Sequence, residues 1–464
     1  MFTDPTTASA GELAAAIRAH TVSAVEVLDA YLAQIDRWNP TLNAIVTLDA
    51  DGARRRAVAA DVALAHGVWW GPLHGVPVTL KDGHSTAGLR TTAGYPPLAD
   101  YIPAQDGTVA ARLRAAGAVL LGKTNVPPLL LDIQTDNALF GRTNNPWNPA
   151  RTPGGSSGGA AAALAAGMTA LDVGSDFAGS IRIPAHFCGL FGLKPTEGRV
   201  PLTGHIADLP GAPVAPRLLW SIGPLARSVA DLDLALRVLA GPDGRDTDVP
   251  PMPVDDPPPL ALRDLRIAWT PGLPGLPVAA AIQAALHDLA TRLAGAGARV
   301  AATLPAADLA AQGRLRTDLA KLLLTAFDPP GARPAPTLAA YFTALHARDA
   351  AITAWEAFFT AWDVLLCPVT LVTAFPHAPP GSAVLVDGSA APGWQLLAHC
   401  ALFNLTGQPV VVIPVGVDPA GLPIGIQIVA RRWGEARLLA IAAAISAVVE
   451  PLGRPPPPPP NPLR

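Results

Sequence analysis

Cysteine is scarce in this chain. Only Cys188, Cys367 and Cys400 occur in 464 residues, widely spaced and odd in number. That excludes a disulfide framework and the paired spacings of a zinc site, and it suits a reducing compartment. Charge is also sparse: Asp, Glu, Lys and Arg make up 15% of residues and the net charge is −3. Without a basic cluster the chain lacks the electrostatic footprint of a nucleic-acid binder. Long apolar runs are missing too. The longest, near 160–171 and 438–449, reach about a dozen residues, where a membrane span needs about 20. The opening "MFTDPTTASAGE" has neither the positive charge nor the apolar core of a secretory signal. These absences predict a soluble, cytoplasmic protein with no nucleic-acid or membrane partner.

What the chain does have is apolar mass. Half of its residues are hydrophobic, enough for a large core. "SAGE" at Ser9–Glu12 and "SAVE" at Ser23–Glu26 have the form of capping boxes. After the second, Val25, Leu28, Leu32 and Ile35 mark one face of a helix expected to end before Pro40. "GPLHGVPVTLKDG" (71–83) reads as turn, short strand and loop, with Lys81 at the strand's end. "TVAARLRAAGAVLLG" (108–122) predicts a helix with Val109, Leu113 and Ala116 inward, a stop at Gly117, and a strand. "NNPWNPARTPGG" (144–155) is loop, the following small-residue run is helix, and "DVGSD" is a buried strand. Further on, helices are expected at 226–240, 278–295, 336–361 and 435–450, and strands at 363–367, 410–415 and 424–430. Helices alternating with strands predict an α/β fold. The tail "RPPPPPPNPLR" reads as polyproline II or disorder.

Three segments carry candidate chemistry: "TLKDG" with Lys81, "TPGGSSGG" with Ser156 and Ser157, and "GSDFAGSIRIPA" with Ser180. A serine hydroxyl needs a base to become a useful nucleophile. A lysine serves if burial lowers its pKa from about 10.4. Two histidines compete for that role by proximity in sequence, His84 beside Lys81 and His186 just after Ser180. Both read more simply as packing or pocket residues. "GSSGG" also fits the G-x-S-x-G nucleophile elbow, but the residues before it make a poor strand. No Gly-Lys-Ser/Thr follows the glycines, so a phosphate loop is a poor fit. "NLT" at 404–406 fits a glycosylation sequon that a cytoplasmic chain does not use. Spacing alone does not show that the three segments meet.

The stretches "GPLHGVPVTLKD", "GKTN", "NNPWNPARTPGGSSGGAAAALAAG", "VGSDFAGSIRIPAHFCGLFGLKPTEGRVP", "SIGPLARSVADLDLAL" and "NLTGQPVVVIPVG" with "GLPIGIQIVARRWGEARLL" resemble the amidase signature family of serine hydrolases. They run in that family's order from about residue 5 to 448. The resemblance implies a three-layer α/β/α sandwich around one large mixed sheet, within a single domain, 1–450, and a Pro-rich tail, 451–464. The core motifs fall at about 65–240 and 400–448, and about 200–400 is a variable region that shapes the substrate pocket. It further implies a Ser–cisSer–Lys triad with Ser180 as nucleophile, Ser156 as the bridging serine after a cis peptide bond, and Lys81 as base. Ser156 and Ser180 stand 24 residues apart, as the family pattern has them. The oxyanion donors implied are the backbone N–H groups of Phe177, Ala178 and Gly179, with Ser180 a further candidate. Ala178 stands where the family usually has glycine, so a narrowed or restricted site is expected there. Asp176 and Arg182 are expected to lock the loop. Ser157 is expected to support the site, by capping the next helix or by holding Lys81.

The activity implied is hydrolysis of an amide-type carbon–nitrogen bond through an acyl-enzyme, in a carboxamide, aryl amide or carbamate. Esterase or urethanase activity also fits, and the apolar "FAGS" tolerates an aromatic group. No metal or organic cofactor is implied. The partner is a small-molecule amide, ester or carbamate, with a homo-oligomer left open. Two other readings share the fold: an amidotransferase component of a transamidating complex, and a catalytically silent binding or scaffold protein.

Overall fold

The computed structural model describes residues 4–206, 217–325 and 336–457. Among them thirteen strands form: β1 (Ile45–Leu48), β2 (Pro77–Lys81), β3 (Val119–Thr124), β4 (Leu171–Asp176), β5 (Phe191–Lys194), β6 (Ser221–Ala226), β7 (Arg266–Trp269), β8 (Arg299–Ala302), β9 (Val364–Pro368), β10 (Val384–Val386), β11 (Ser389–Ala391), β12 (Val410–Val417) and β13 (Pro423–Val429). Eleven join one sheet in the order β1-β3-β2-β4-β6-β5-β12-β13-β9-β7-β8, and β10 and β11 form a separate hairpin. The sheet is mixed: β3, β2 and β4 run parallel, as do β8, β7 and β9, while the strands between them are antiparallel.

The helices are α1 (Ala10–Arg18), α2 (Ala24–Leu42), α3 (Ala50–Ala65), α4 (Thr108–Ala115), α5 (Gly158–Ala165), α6 (Arg182–Cys188), α7 (Val229–Leu239), α8 (Ala280–Gly295), α9 (Leu309–Leu324), α10 (Leu338–Ala361), α11 (Ala398–Leu405) and α12 (Glu435–Ser446). They cover both sheet faces, as alternation along β12 shows. Val411 and Ile413 join a core with Leu232 of α7, Leu286 of α8 and Leu438 of α12. Val412 turns the other way, toward Ile183 of α6, and Val410 toward Phe403 of α11 and Trp355 of α10. A period-2 strand between two apolar layers is buried on both sides, which is why these strands read as continuous Val/Ile runs. The fold is thus the expected α/β/α arrangement around one mixed sheet.

Both capping boxes form, with Ser9 and Ser23 accepting from the third residue of their helices. The expected end of α2 before Pro40 is wrong: the helix runs through Pro40 to Leu42. Proline there removes only one late intrahelical bond. Asn43, in the left-handed region, closes the end by donating its N–H to the Asn39 carbonyl at 2.7 Å. The helix expected at 226–240 starts only at Val229, because 221–226 is strand β6 and Ser228 caps the turn between them. The last helix stops at Ser446, short of 450. No described helix is long and apolar enough to cross a membrane. The three cysteines are buried and free. Residues 458–464, most of the expected polyproline tail, lie outside the described residues; Arg454 ahead of them donates to the Thr6 carbonyl.

Candidate active site

Parallel strands β2 and β4 lie side by side in the middle of one half of the sheet, and their C-terminal ends deliver Lys81 and Asp176 to one place. Lys81 is wholly buried. Its Nζ lies 2.7 Å from Ser156 Oγ, 3.1 Å from Ser175 Oγ and 3.2 Å from the Ser175 carbonyl. Burial pulls its pKa down to about 7, against the pull of Asp176 and Asp172 the other way. Near neutrality a large share of the amine is therefore uncharged. An uncharged lysine has two N–H donors and one lone pair. The Ser175 carbonyl can only accept, whereas the hydroxyls of Ser175 and Ser156 can either accept from the amine or donate to its lone pair.

Ser156 follows the cis bond Gly155–Ser156 and is wholly buried. The loop reaches this depth because its glycines allow it. A Cβ on Gly159 would sit 2.3 Å from the Asn125 backbone nitrogen, so no other residue fits against the "GKTN" segment there. Ser157 does neither of the things expected of it. It stands at the N-cap of α5 without a side-chain capping bond, and its buried Oγ has no partner. Its backbone carries the contact instead, donating N–H to the Ser180 carbonyl at 3.2 Å. The hydroxyl that holds Lys81 beside Ser156 belongs to Ser175, a residue that nothing in the sequence singles out.

Ser180 lies on the turn between β4 and α6. From Thr152 to Cys188 it is the only residue that is not buried. It opens into a cavity of about 330 Å³ with Leu130, Ile133, Phe177, Arg316, Phe375 and Leu396 on its walls. Most of that wall comes from 316–397, inside the region expected to shape a pocket. The 130–134 segment was not anticipated.

The turn is held by a buried ion pair. Arg182 donates to both oxygens of Asp176, at 2.8 and 3.0 Å. It also reaches the Cys400 carbonyl at 2.9 Å, Gln427 Oε1 at 2.8 Å and Asn404 Oδ1 at 2.6 Å. Burial would raise the Asp176 pKa, but Arg182, with Lys194 and Asn404, holds it well below the carboxylate range. Asn404 is sealed in this network, 1% exposed, so "NLT" offers no accessible sequon.

The same pair corrects one assignment. Asp176 also accepts the N–H of Gly179 at 2.7 Å and of Ile181 at 3.1 Å. Gly179 is thus committed to the loop and does not offer a free oxyanion donor. The N–H groups of Phe177, Ala178 and Ser180 have no partner among the described residues. Ala178 is not strained: the left-handed residue is Gly179, φ +121°, where a Cβ would fall 2.9 Å from that of Cys400. The glycine this loop needs for conformation is at 179.

The histidines pack. His186 accepts the Gly425 N–H at 2.6 Å, and burial lowers its pKa to about 4. His84 lies ring against ring with His205, centroids 5.2 Å apart, and burial with His205 and Lys123 nearby depresses its pKa strongly. Lys123 of "GKTN" pairs with Asp82 at 3.5 Å and donates to the His84 carbonyl, bracing the loop after Lys81. Among the described residues no group of three or more His, Cys, Asp or Glu is placed to hold a metal ion.

A large mixed sheet flanked by helices, with a buried lysine–serine contact beside a turn that carries one partly exposed serine, is the arrangement of an α/β protein with nucleophile and base side chains gathered at the ends of parallel strands. The Amidase family profile matches residues 26–314 and 331–439. The chain is 36% identical over 454 residues to an indoleacetamide hydrolase of Bradyrhizobium diazoefficiens, covering 94% of this chain and 86% of that protein. It is 35% identical over 493 residues to a glutamyl-tRNA(Gln) amidotransferase subunit of Anaeromyxobacter dehalogenans, covering 96% and 97%. Among solved structures, a bacterial aryl acylamidase of the amidase signature family superposes with a TM-score of 0.80 at 26% identity, covering 95% and 96%. The chain belongs to the amidase signature family, enzymes that act on amide-type carbon–nitrogen bonds.

Proposed function

We propose that this chain hydrolyses a small carboxamide, aryl amide or carbamate through an acyl-enzyme on Ser180. The observation that carries the reading is the 2.7 Å contact of the buried Lys81 amine with Ser156 Oγ, beside a turn on which Ser180 is the one partly exposed residue. Ser180 Oγ attacks the carbonyl carbon and gives its proton to Ser156 Oγ, which passes its own to Lys81 Nζ. The tetrahedral oxyanion is met by the free N–H groups of the 177–180 turn. The relay returns a proton to the departing amine as the carbon–nitrogen bond breaks. Water then attacks the acyl-enzyme by the same relay. Asp176 and Arg182 keep the turn in shape, and Ser175 orients the amine. The cavity's apolar wall and its volume of about 330 Å³ suit an aryl or compact apolar group beside the carbonyl.

The test is a panel on purified protein: benzamide, acetanilide, a nitrophenyl ester and an aryl carbamate. Ser180→Ala is expected to lower every activity by at least about 10³-fold. A variant retaining activity within tenfold of the parent would sink the assignment. A second reading, an amidotransferase component of a transamidating complex, is favoured by the end-to-end similarity to such proteins.

A further inference from the structure

Arg316, on α9, is a cation in a mostly apolar wall. It borders the cavity at Ser180 and a neighbouring groove of about 790 Å³. Among the described residues no carboxylate lies within 4.0 Å of it. Its guanidinium sits 5.1 Å from the Phe177 ring centroid, and Nη2 donates to the Phe177 carbonyl at 3.1 Å. The Phe177 ring is backed by Trp220, centroids 4.8 Å apart.

That carbonyl is one end of a peptide unit whose other end is the Ala178 N–H. The unit is trans, and in a planar trans peptide C=O and N–H point in opposite directions. Fixing the carbonyl therefore fixes the direction of the N–H. Ala178 is 7% exposed, and its N–H has no partner among the described residues. A buried, unpaired backbone donor is uncommon and calls for a reason. Gly179, the next donor along, is held by Asp176. The Phe177–Ala178 unit is thus a free donor in the turn beside Ser180, and a charged group from a distant helix grips its far end.

We propose that Arg316 is a positioning residue for the oxyanion site: it clamps the Phe177 carbonyl so that the Ala178 N–H stays aimed at the developing negative charge. The charge-assisted bond also polarises the amide and strengthens its N–H as a donor. This rests on Ser180 being the nucleophile. It makes α9, from the variable part of the chain, a component of the catalytic apparatus.

The experiment follows the labelling of Ser180 by an aryl phosphonofluoridate, read by intact mass and peptide mapping. In that step Ser180 Oγ bonds to phosphorus, fluoride leaves with the P–F electron pair, and the serine proton passes through Ser156 to Lys81. Arg316→Met is expected to lower the limiting labelling rate about 10- to 100-fold. The half-saturating reagent concentration and the midpoint of the pH dependence are expected to stay where they are. Arg316→Lys keeps the charge but loses the planar fork, and is expected to fall about 3- to 10-fold. A limiting rate within about twofold of wild type in Arg316→Met overturns the proposal and leaves Ser180 as nucleophile. So does an unchanged limiting rate with a raised half-saturating concentration, which makes Arg316 a ligand anchor instead. Should Arg316→Met not fold, Arg316→Lys decides: a wild-type rate overturns the proposal, and a loss beyond about threefold upholds it. Wild-type protein that does not label at Ser180 overturns both the proposal and the reading beneath it.

Discussion

Lys81 is worth following through pH, because its burial acts on both activity and stability. As the proposed base it must be uncharged, so kcat/KM is expected to rise through a midpoint near 7 and level off above it. Lys81→Ala is expected to lower the rate by about 10³-fold and to abolish that limb. A profile that keeps the same midpoint in the variant assigns the base elsewhere. The stability effect has a definite sign. The folded-state pKa lies below the unfolded value, so between about 7 and about 10.4 the unfolded chain holds the extra proton. The lysine therefore destabilises the fold most below pH 7, and stability recovers as pH rises. Lys81→Met is accordingly expected to raise the melting temperature more at about pH 6 than at about pH 10.

At the scale of elements, the short turn from β4 into α6 is organised by one ion pair. Asp176 ends the strand and receives two N–H groups of the turn, and Arg182 opens the helix and ties it to α11 and β13. Removing one member leaves the other charged and buried. Asp176→Asn is expected to cost about 3–5 kcal/mol and to lower activity together with stability. Urea unfolding beside the rate assay checks this, and an activity loss at unchanged stability would show that Asp176 acts on the chemistry instead. Some elements were hard to read in the sequence for physical reasons. β6 contains Gly223 and Pro224 yet lies between β4 and β5, a place where proline normally argues against a strand. β7 and β8 are four residues each and partly exposed, with no alternation to mark them.

At the scale of the whole molecule, one sheet draws strands from residue 45 to residue 429. We propose on that basis that 1–450 is one domain. The relevant question at this scale is whether the chain works alone. If it is a free-standing amidase, protein purified without partner chains is expected to hydrolyse the simple amides at full rate. A transamidating component is expected to be slow alone and stimulated more than about tenfold by its partners. Size-exclusion chromatography coupled to the amide assay separates the two.

Ser156, Ser180, Asp176 and Arg182 stood out in sequence because each lies in or close to a run of small and glycine residues, and Lys81 because it ends a short apolar strand within a stretch that resembles the family. Such runs occur where backbone must pass close to backbone, and that requirement is local. The residues that complete the site did not stand out: Ser175 shares the run that holds Asp176 and Ser180, and nothing in it sets Ser175 apart, while Asn404 and Arg316 lie outside such runs. Ser175 looks like any strand residue until Lys81 is seen to need two acceptors. Asn404 reads only as a sequon, and Arg316 as an ordinary helix arginine. Which N–H groups of the turn are free was also beyond sequence, since Gly179 is claimed by a carboxylate three residues away through a turn that packing creates. Chain-local constraints wrote the motif. Contacts between residues more than a hundred positions apart decided which walls and charges surround it.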